Sequence, residues 1–276
     1  MAYRTLMVHL ELDGNNSGLL EIAAGLANEF SAGVIGVAAC QPSQTLFDEG
    51  LIAGSVLVDD YTEIARGIEA AEAEFRMALK DRAKSVEWRS SITYGPLASY
   101  IAEEARAADL IVTRPDRGAS TLGDTRRVKV GDLALQAGRP LLIVPHGISS
   151  LTLNNAFVAW KDSREARRAV ADALPLLRRA KNVTVLEAAS NAAQSRAHDR
   201  VVDVAHWLEG HGIAAEPVTT SPSGSDTAGL YDEMIERGCD FLVAGAYGHS
   251  RVGEFVFGGV TRDLLLAPDY CVLISH

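Results

Sequence analysis

Two copies of one pattern run through this chain, 131 residues apart. Ala108-Asp109-Leu110-Ile111-Val112 reappears as Cys239-Asp240-Phe241-Leu242-Val243. Asp132-Leu133-Ala134-Leu135 reappears at the same offset as Asp263-Leu264-Leu265-Leu266, so no gap separates the two matches. An apolar run follows each, Pro140–Val144 and Cys271–Ser275. The halves also open alike: Leu6–Leu10 leads to Asp13, and Phe157–Ala159 leads to Asp162, at an offset of 149. A chain of this length can form two domains or one large one, and the repeat points to two. The first copy must carry 18 surplus residues, which we place around 42–62 as a long loop or lid. The boundary falls in the polar stretch Pro145–Leu151, dividing the chain into 1–147 and 152–276.

Within each copy, strand and helix patterns alternate. In the second, strands are expected at Ala156–Trp160, Asn182–Glu187, Ala214–Thr219, Phe241–Ala244 and Cys271–Ile274. Helices are expected at Arg164–Arg179, Ala197–Gly210, Ala228–Arg237 and Thr261–Ala267, with Pro175 kinking or shortening the first. In the first copy, Ile64, Ile68, Ala71, Phe75 and Ala78 mark a long amphipathic helix. Such alternation implies an α/β fold: a parallel sheet with helices on both faces, binding ligands at the carboxyl ends of its strands.

Hydrophobic residues make up 47% of the chain and the net charge is -10. That is a globular composition with no general attraction to nucleic acid or anionic lipid. The N-terminus lacks a signal-peptide core and no apolar run approaches a membrane span, so the expectation is a cytoplasmic protein. Cys40, Cys239 and Cys271 are scattered and read as reduced, buried thiols, with no metal-binding spacing.

The chemistry concentrates after the fourth strand of the second copy. Gly245 to Gly259 holds five glycines in fifteen residues, between a strand and a helix start. Glycine backbone lets a ligand approach closely, and a helix N-terminus offers free N–H groups to a phosphate chain. Ser250, Arg251 and Thr261 could add donors. The alternative is a surface loop that uses its glycines only to turn, and the residues alone leave both open. The loop is neither a P-loop nor a dinucleotide GxGxxG, and the loops of adenylyl-transfer enzymes are absent.

The spacing Gly245-x2-Gly248-x9-Gly258 resembles the G-x2-G-x9-G-[S/T] loop of the universal stress protein family. The resemblance covers both halves, supported by Trp160-Lys161-Asp162-Ser163 before the loop. It implies two tandem flavodoxin-like, Rossmann-like domains, each with a five-stranded parallel sheet, and pairing of the final strands between domains or subunits. It also implies an adenine nucleotide site for ATP, ADP or AMP, with or without Mg2+. Carried onto this sequence, Asp162 contacts base or ribose, Glu187 and Ala188 lie by the adenine, and Gly245, Gly248, Gly258 and Gly259 meet the phosphates with His249, Ser250, Arg251 and Thr261 nearby. Gly259 stands where the family has Ser or Thr. The missing hydroxyl would cost about 1.5–3 kcal/mol, which favours weak binding or a shorter nucleotide.

In the first copy the equivalent positions are Arg114, Arg117, Arg127 and Val128, so this half is not expected to bind nucleotide in the same manner. Its arginines, Arg126 among them, either hold an anion or form a paired charge cluster. Asp13 is expected to cap the helix that follows it, and Asp162 has the same alternative. Nothing supplies a nucleophile, an oriented base for His249 or a metal cluster, so the expectation is no enzyme, at most a weak ATPase. The resemblance points to a nucleotide-responsive stress or regulatory protein with an unidentified protein partner. It is a pseudo-dimer within the chain or a homodimer. The alternative is an interaction protein with a relic site.

Overall fold

The structure is a computed structural model that describes residues 2–42, 54–116, 126–221, 228–246 and 270–276. It contains two compact units, one of residues 2–139 with 146–150, the other of 140–145 with 151–276. The sequence division at 147/152 lies beside the same linker, but the short strand after residue 140 belongs to the second unit rather than to its own half.

The first unit runs β1 (Thr5–His9), α1 (Ser17–Phe30), β2 (Gly33–Cys40), α2 (Gly54–Leu79), β3 (Val86–Ile92), α3 (Leu97–Glu104), β4 (Leu110–Thr113) and α4 (Val130–Gln136). Its strands are parallel in the order β3-β2-β1-β4. The central strands are buried on both faces, with Leu6, Met7, Val8, Leu110, Ile111 and Val112 fully enclosed. This is why they read as unbroken apolar runs rather than alternating ones.

In the second unit come β5 (Leu141–Ile143), β6 (Asn155–Ala159), α5 (Arg164–Leu177), β7 (Asn182–Ala188), α6 (Gln194–Gly210), β8 (Glu216–Thr220), α7 (Ala228–Glu236), β9 (Phe241–Gly245) and β10 (Cys271–Ser275). Five strands are parallel in the order β10-β9-β6-β7-β8. The order β7-β6-β9 repeats β2-β1-β4 of the first unit. Against the outer side of β10 lies β5, antiparallel, with Val272 opposite Ile143 and Ile274 opposite Leu141. The final strands of the two halves therefore pair with each other.

The repeated aspartate has a physical reason. Asp109 accepts hydrogen bonds from the backbone N–H groups of Arg4 (2.7 Å) and Thr5 (3.0 Å). Asp240 accepts from those of Asn154 and Asn155, both at 3.0 Å. Each carboxylate satisfies two N–H groups at the start of a central strand.

One expectation changes. Residues 54–62 are not loop but the first turns of α2, and residues 43–53 lie outside the described residues. The apolar run Val56-Leu57-Val58, with its two β-branched valines, hides the helical period, yet Pro is absent from 54–79 and nothing stops the helix from extending back. Its buried face is Ile64, Ala71, Phe75 and Leu79. Phe75 and Trp88 close over Gly36, where a Cβ would lie 2.6 Å from the Trp88 ring and 2.8 Å from Phe75. In the second unit, α5 ends two residues after Pro175, as expected of a proline that shortens a helix. The expected helix at Thr261–Ala267 lies outside the described residues.

Candidate functional site

The second unit winds from β6 through β7 to β8 on one side, then returns to β9 on the other side of β6. The crevice at the carboxyl ends of β6 and β9 is thus a topological switch point, where open α/β sheets bind ligands. Trp160, Lys161 and Asp162 leave β6 there. Gly245 ends β9, and Glu187 and Ala188 end β7. The structure therefore brings Asp162, Glu187, Ala188 and Gly245 to one end of one sheet. Gly248, His249, Ser250, Arg251, Gly258, Gly259 and Thr261 lie outside the described residues.

Asp162 does not cap the next helix. That role falls to Ser163, whose Oγ accepts from the Ala166 N–H at 3.2 Å. Extended backbone at Ser163 aims its short hydroxyl back at the helix, while Asp162, one residue earlier, turns to solvent. There its Oδ1 accepts from Arg167 at 2.5 Å, with both side chains more than half exposed. Glu187 is buried and receives both Nε and Nη2 of Arg200 from α6, the Nε contact at 3.1 Å. That hydrogen bond is the largest cause of an upward shift in the Arg200 pKa, with Asp162 and Asp199 adding further negative field. Asp162, Glu187 and Arg200 therefore share one electrostatic neighbourhood.

Gly245 is required for a reason the motif does not suggest. A Cβ there would lie 2.5 Å from Ala166 N and 2.7 Å from the Glu165 carbonyl carbon. The first turn of α5 rests directly on the end of β9, and only glycine leaves room. The indole Nε1–H of Trp160, buried beside this turn in sequence, has no hydrogen-bond partner among the described residues.

The same end of the first unit is occupied by its own side chains. Arg127 pairs with Asp13, and Arg126 pairs with Asp60 from α2. Both pairs are mostly buried, with side-chain exposures of 11–21%. Arg114 is buried and donates to the Asn15 carbonyl at 3.2 Å. Tyr61 and Tyr94 meet hydroxyl to hydroxyl at 3.1 Å. Burial pushes the Cys40 thiol up; Arg126 opposes the shift, and Asp60 and Asp13 add to it. Asp13 was expected as a helix cap. Instead Asn16 precedes α1, and its side chain is turned back onto the Glu11 backbone N–H (3.1 Å) and carbonyl (2.8 Å). Asp13 is left to meet a cation 114 residues away. Of the arginine alternatives, the paired cluster describes Arg126 and Arg127; Arg117 lies outside the described residues.

No family model matches the chain, and no curated protein matches its sequence. Solved structures do match. A universal stress protein from Archaeoglobus fulgidus DSM 4304 aligns over 98% of this chain and 97% of its own, at 15% identity and a TM-score of 0.74. The chain has the universal stress protein fold. A protein of unknown function from Pseudomonas aeruginosa PAO1 shares it over 99% of this chain and 92% of its own, at 14% identity and a TM-score of 0.60. Between the two halves of the chain the winding order is likewise kept while the side chains at the strand ends differ. Arg167 and Arg200 were not found by sequence reasoning. Arg200 lies thirteen residues beyond Glu187, across a strand end and a helix start, where no periodic signal links them. Among the described residues, no group of acidic, histidine or cysteine side chains could hold a metal ion, and no helix is long and apolar enough to cross a membrane.

Proposed function

We propose that this is a nucleotide-responsive protein of the universal stress type, binding one adenine nucleotide in its second half and none in its first. The observation that carries this reading is the contrast between the two switch points. At β6/β9 an exposed Asp162 flanks a helix start seated on Gly245, and the glycine loop continues from there. At β1/β4 the corresponding Asp13 is taken by Arg127, whose position matches Gly258 of the loop. ATP, ADP or AMP is the ligand, with Mg2+ carried by the phosphates rather than by a protein carboxylate cluster. The bound nucleotide acts by shifting the population of conformations that a protein partner recognises, not by turnover.

Calorimetric titration of ligand-free protein with Mg-ATP, ADP and AMP tests this. One saturable site per chain, lost in Gly248→Asp with the melting temperature kept, is the expected result. Two sites would overturn the asymmetry. No binding at millimolar ligand would turn the reading to an interaction protein whose loop serves only its shape.

A further inference from the structure

The nucleotide reading meets an electrostatic difficulty, since two carboxylates, Asp162 and Glu187, stand at the strand ends of a site that is to take an anionic ligand. Their arginine partners differ in weight. Arg167 and Asp162 are both more than half exposed, and water screens such a pair almost completely. Glu187 is different: its side chain is 9% exposed, and a carboxylate so enclosed needs its counter-charge. Arg200 supplies it with two donors from α6, while keeping a third of its own side chain open to solvent. The β6–β7 register ends at Ala159 opposite Leu186, so Glu187 is the first β7 residue beyond the ladder, on the side from which Asp162 departs. The guanidinium thus neutralises a buried carboxylate at the strand end while remaining partly open to solvent.

We propose that Arg200 sets the ligand charge this site accepts: by cancelling Glu187 it admits a phosphorylated nucleoside where the bare carboxylate would select a neutral one. This rests on the nucleotide reading above. Arg200 acts here as a positioning and charge-selecting residue, and its effect must grow with the charge on the ligand, whereas a merely structural role would weaken all ligands alike.

The test is equilibrium titration of the full chain with adenosine, AMP and ADP, without Mg2+, for the wild type, Arg200→Gln, Glu187→Gln and the double variant. One unit charge across a partly solvated site changes affinity by about threefold per ligand charge. Arg200→Gln is expected to weaken AMP about tenfold and ADP further, leaving adenosine within about twofold. Glu187→Gln is expected to tighten AMP relative to adenosine, and the double variant to return near the wild type. The last two keep the proposal falsifiable if Arg200→Gln, with its stranded Glu187, fails to fold. Equal losses for all three ligands, or Glu187→Gln moving AMP in the same direction as Arg200→Gln, would overturn the proposal alone. A wild-type chain that binds none of the three would overturn the nucleotide reading and this proposal with it.

Discussion

His9 offers a sharp test of the first unit's packing. It ends β1, between β2 and β4, with 6% of its surface exposed, and its Nδ1 lies 3.0 Å from the Thr113 hydroxyl. Burial lowers its pKa from the usual 6.5 to about 4. The sign follows from proton linkage. Between these values the unfolded chain carries the imidazole proton and the folded chain does not, so stability falls as pH drops from 6.5 and the loss is complete below 4. A shift of this size is worth about 3 kcal/mol in full, of which about 2 kcal/mol is lost between pH 7 and pH 5. Carboxylates titrate over the lower part of this range, so the wild type alone is not diagnostic. His9→Gln keeps a polar partner for Thr113 and removes the titration. Hydrogen exchange of peptides covering β1 and β4, followed from pH 7 to pH 5 and corrected for intrinsic rates, reads the opening free energy of this unit. The stability of wild type relative to His9→Gln should fall by about 2 kcal/mol on acidification. Parallel pH profiles would show that the imidazole is not held neutral, and the packing argument would fail.

Three further outcomes are expected. Gly245→Ala should destabilise the second unit by about 1–3 kcal/mol, measured by urea titration, because the clashing atoms are helix backbone; an unchanged midpoint would mean that α5 does not rest on β9. Asp240→Ala and Asp109→Ala should each cost about 2 kcal/mol by removing two bonds to strand-start N–H groups, with hydrogen exchange accelerating in β6 and β1 respectively. Burial pushes the Cys239 thiol up to about 12 and encloses Cys40 and Cys271, so native protein should react slowly with a disulfide reagent at pH 8, and three thiols should appear in urea.

Much of the fold was legible because its causes are local. Fully buried strands show as apolar runs, and Asp109 and Asp240 show as a repeat because each must satisfy the same two N–H groups. Helix α2 was cut short because its start carries valines and its buried face, among the described residues, begins only at Ile64, so the apolar period is not legible before it. Gly245 was legible as a glycine, and the structure adds a cause of its own: a motif reports that a side chain is forbidden, not which neighbour forbids it. The helix backbone at 2.5 Å is that neighbour.

The two switch points show where single-sequence reading stops. That the first half lost its glycines is visible at a fixed offset; what took their place is not, because Asp13–Arg127 spans 114 residues and Asp60–Arg126 spans 66. The early start of α2 has a consequence here. It delivers Asp60 to Arg126, so the stretch that offsets the two copies also neutralises an arginine at the strand end. The second half keeps its aspartate exposed and spends its buried ion pair on Glu187 instead. Equivalent strand ends therefore solve one electrostatic problem in two ways. In the first, Asp60 and Asp13 take up Arg126 and Arg127. In the second, Arg200 of α6 compensates the buried acid Glu187, and the exposed Asp162 keeps only a screened partner in Arg167.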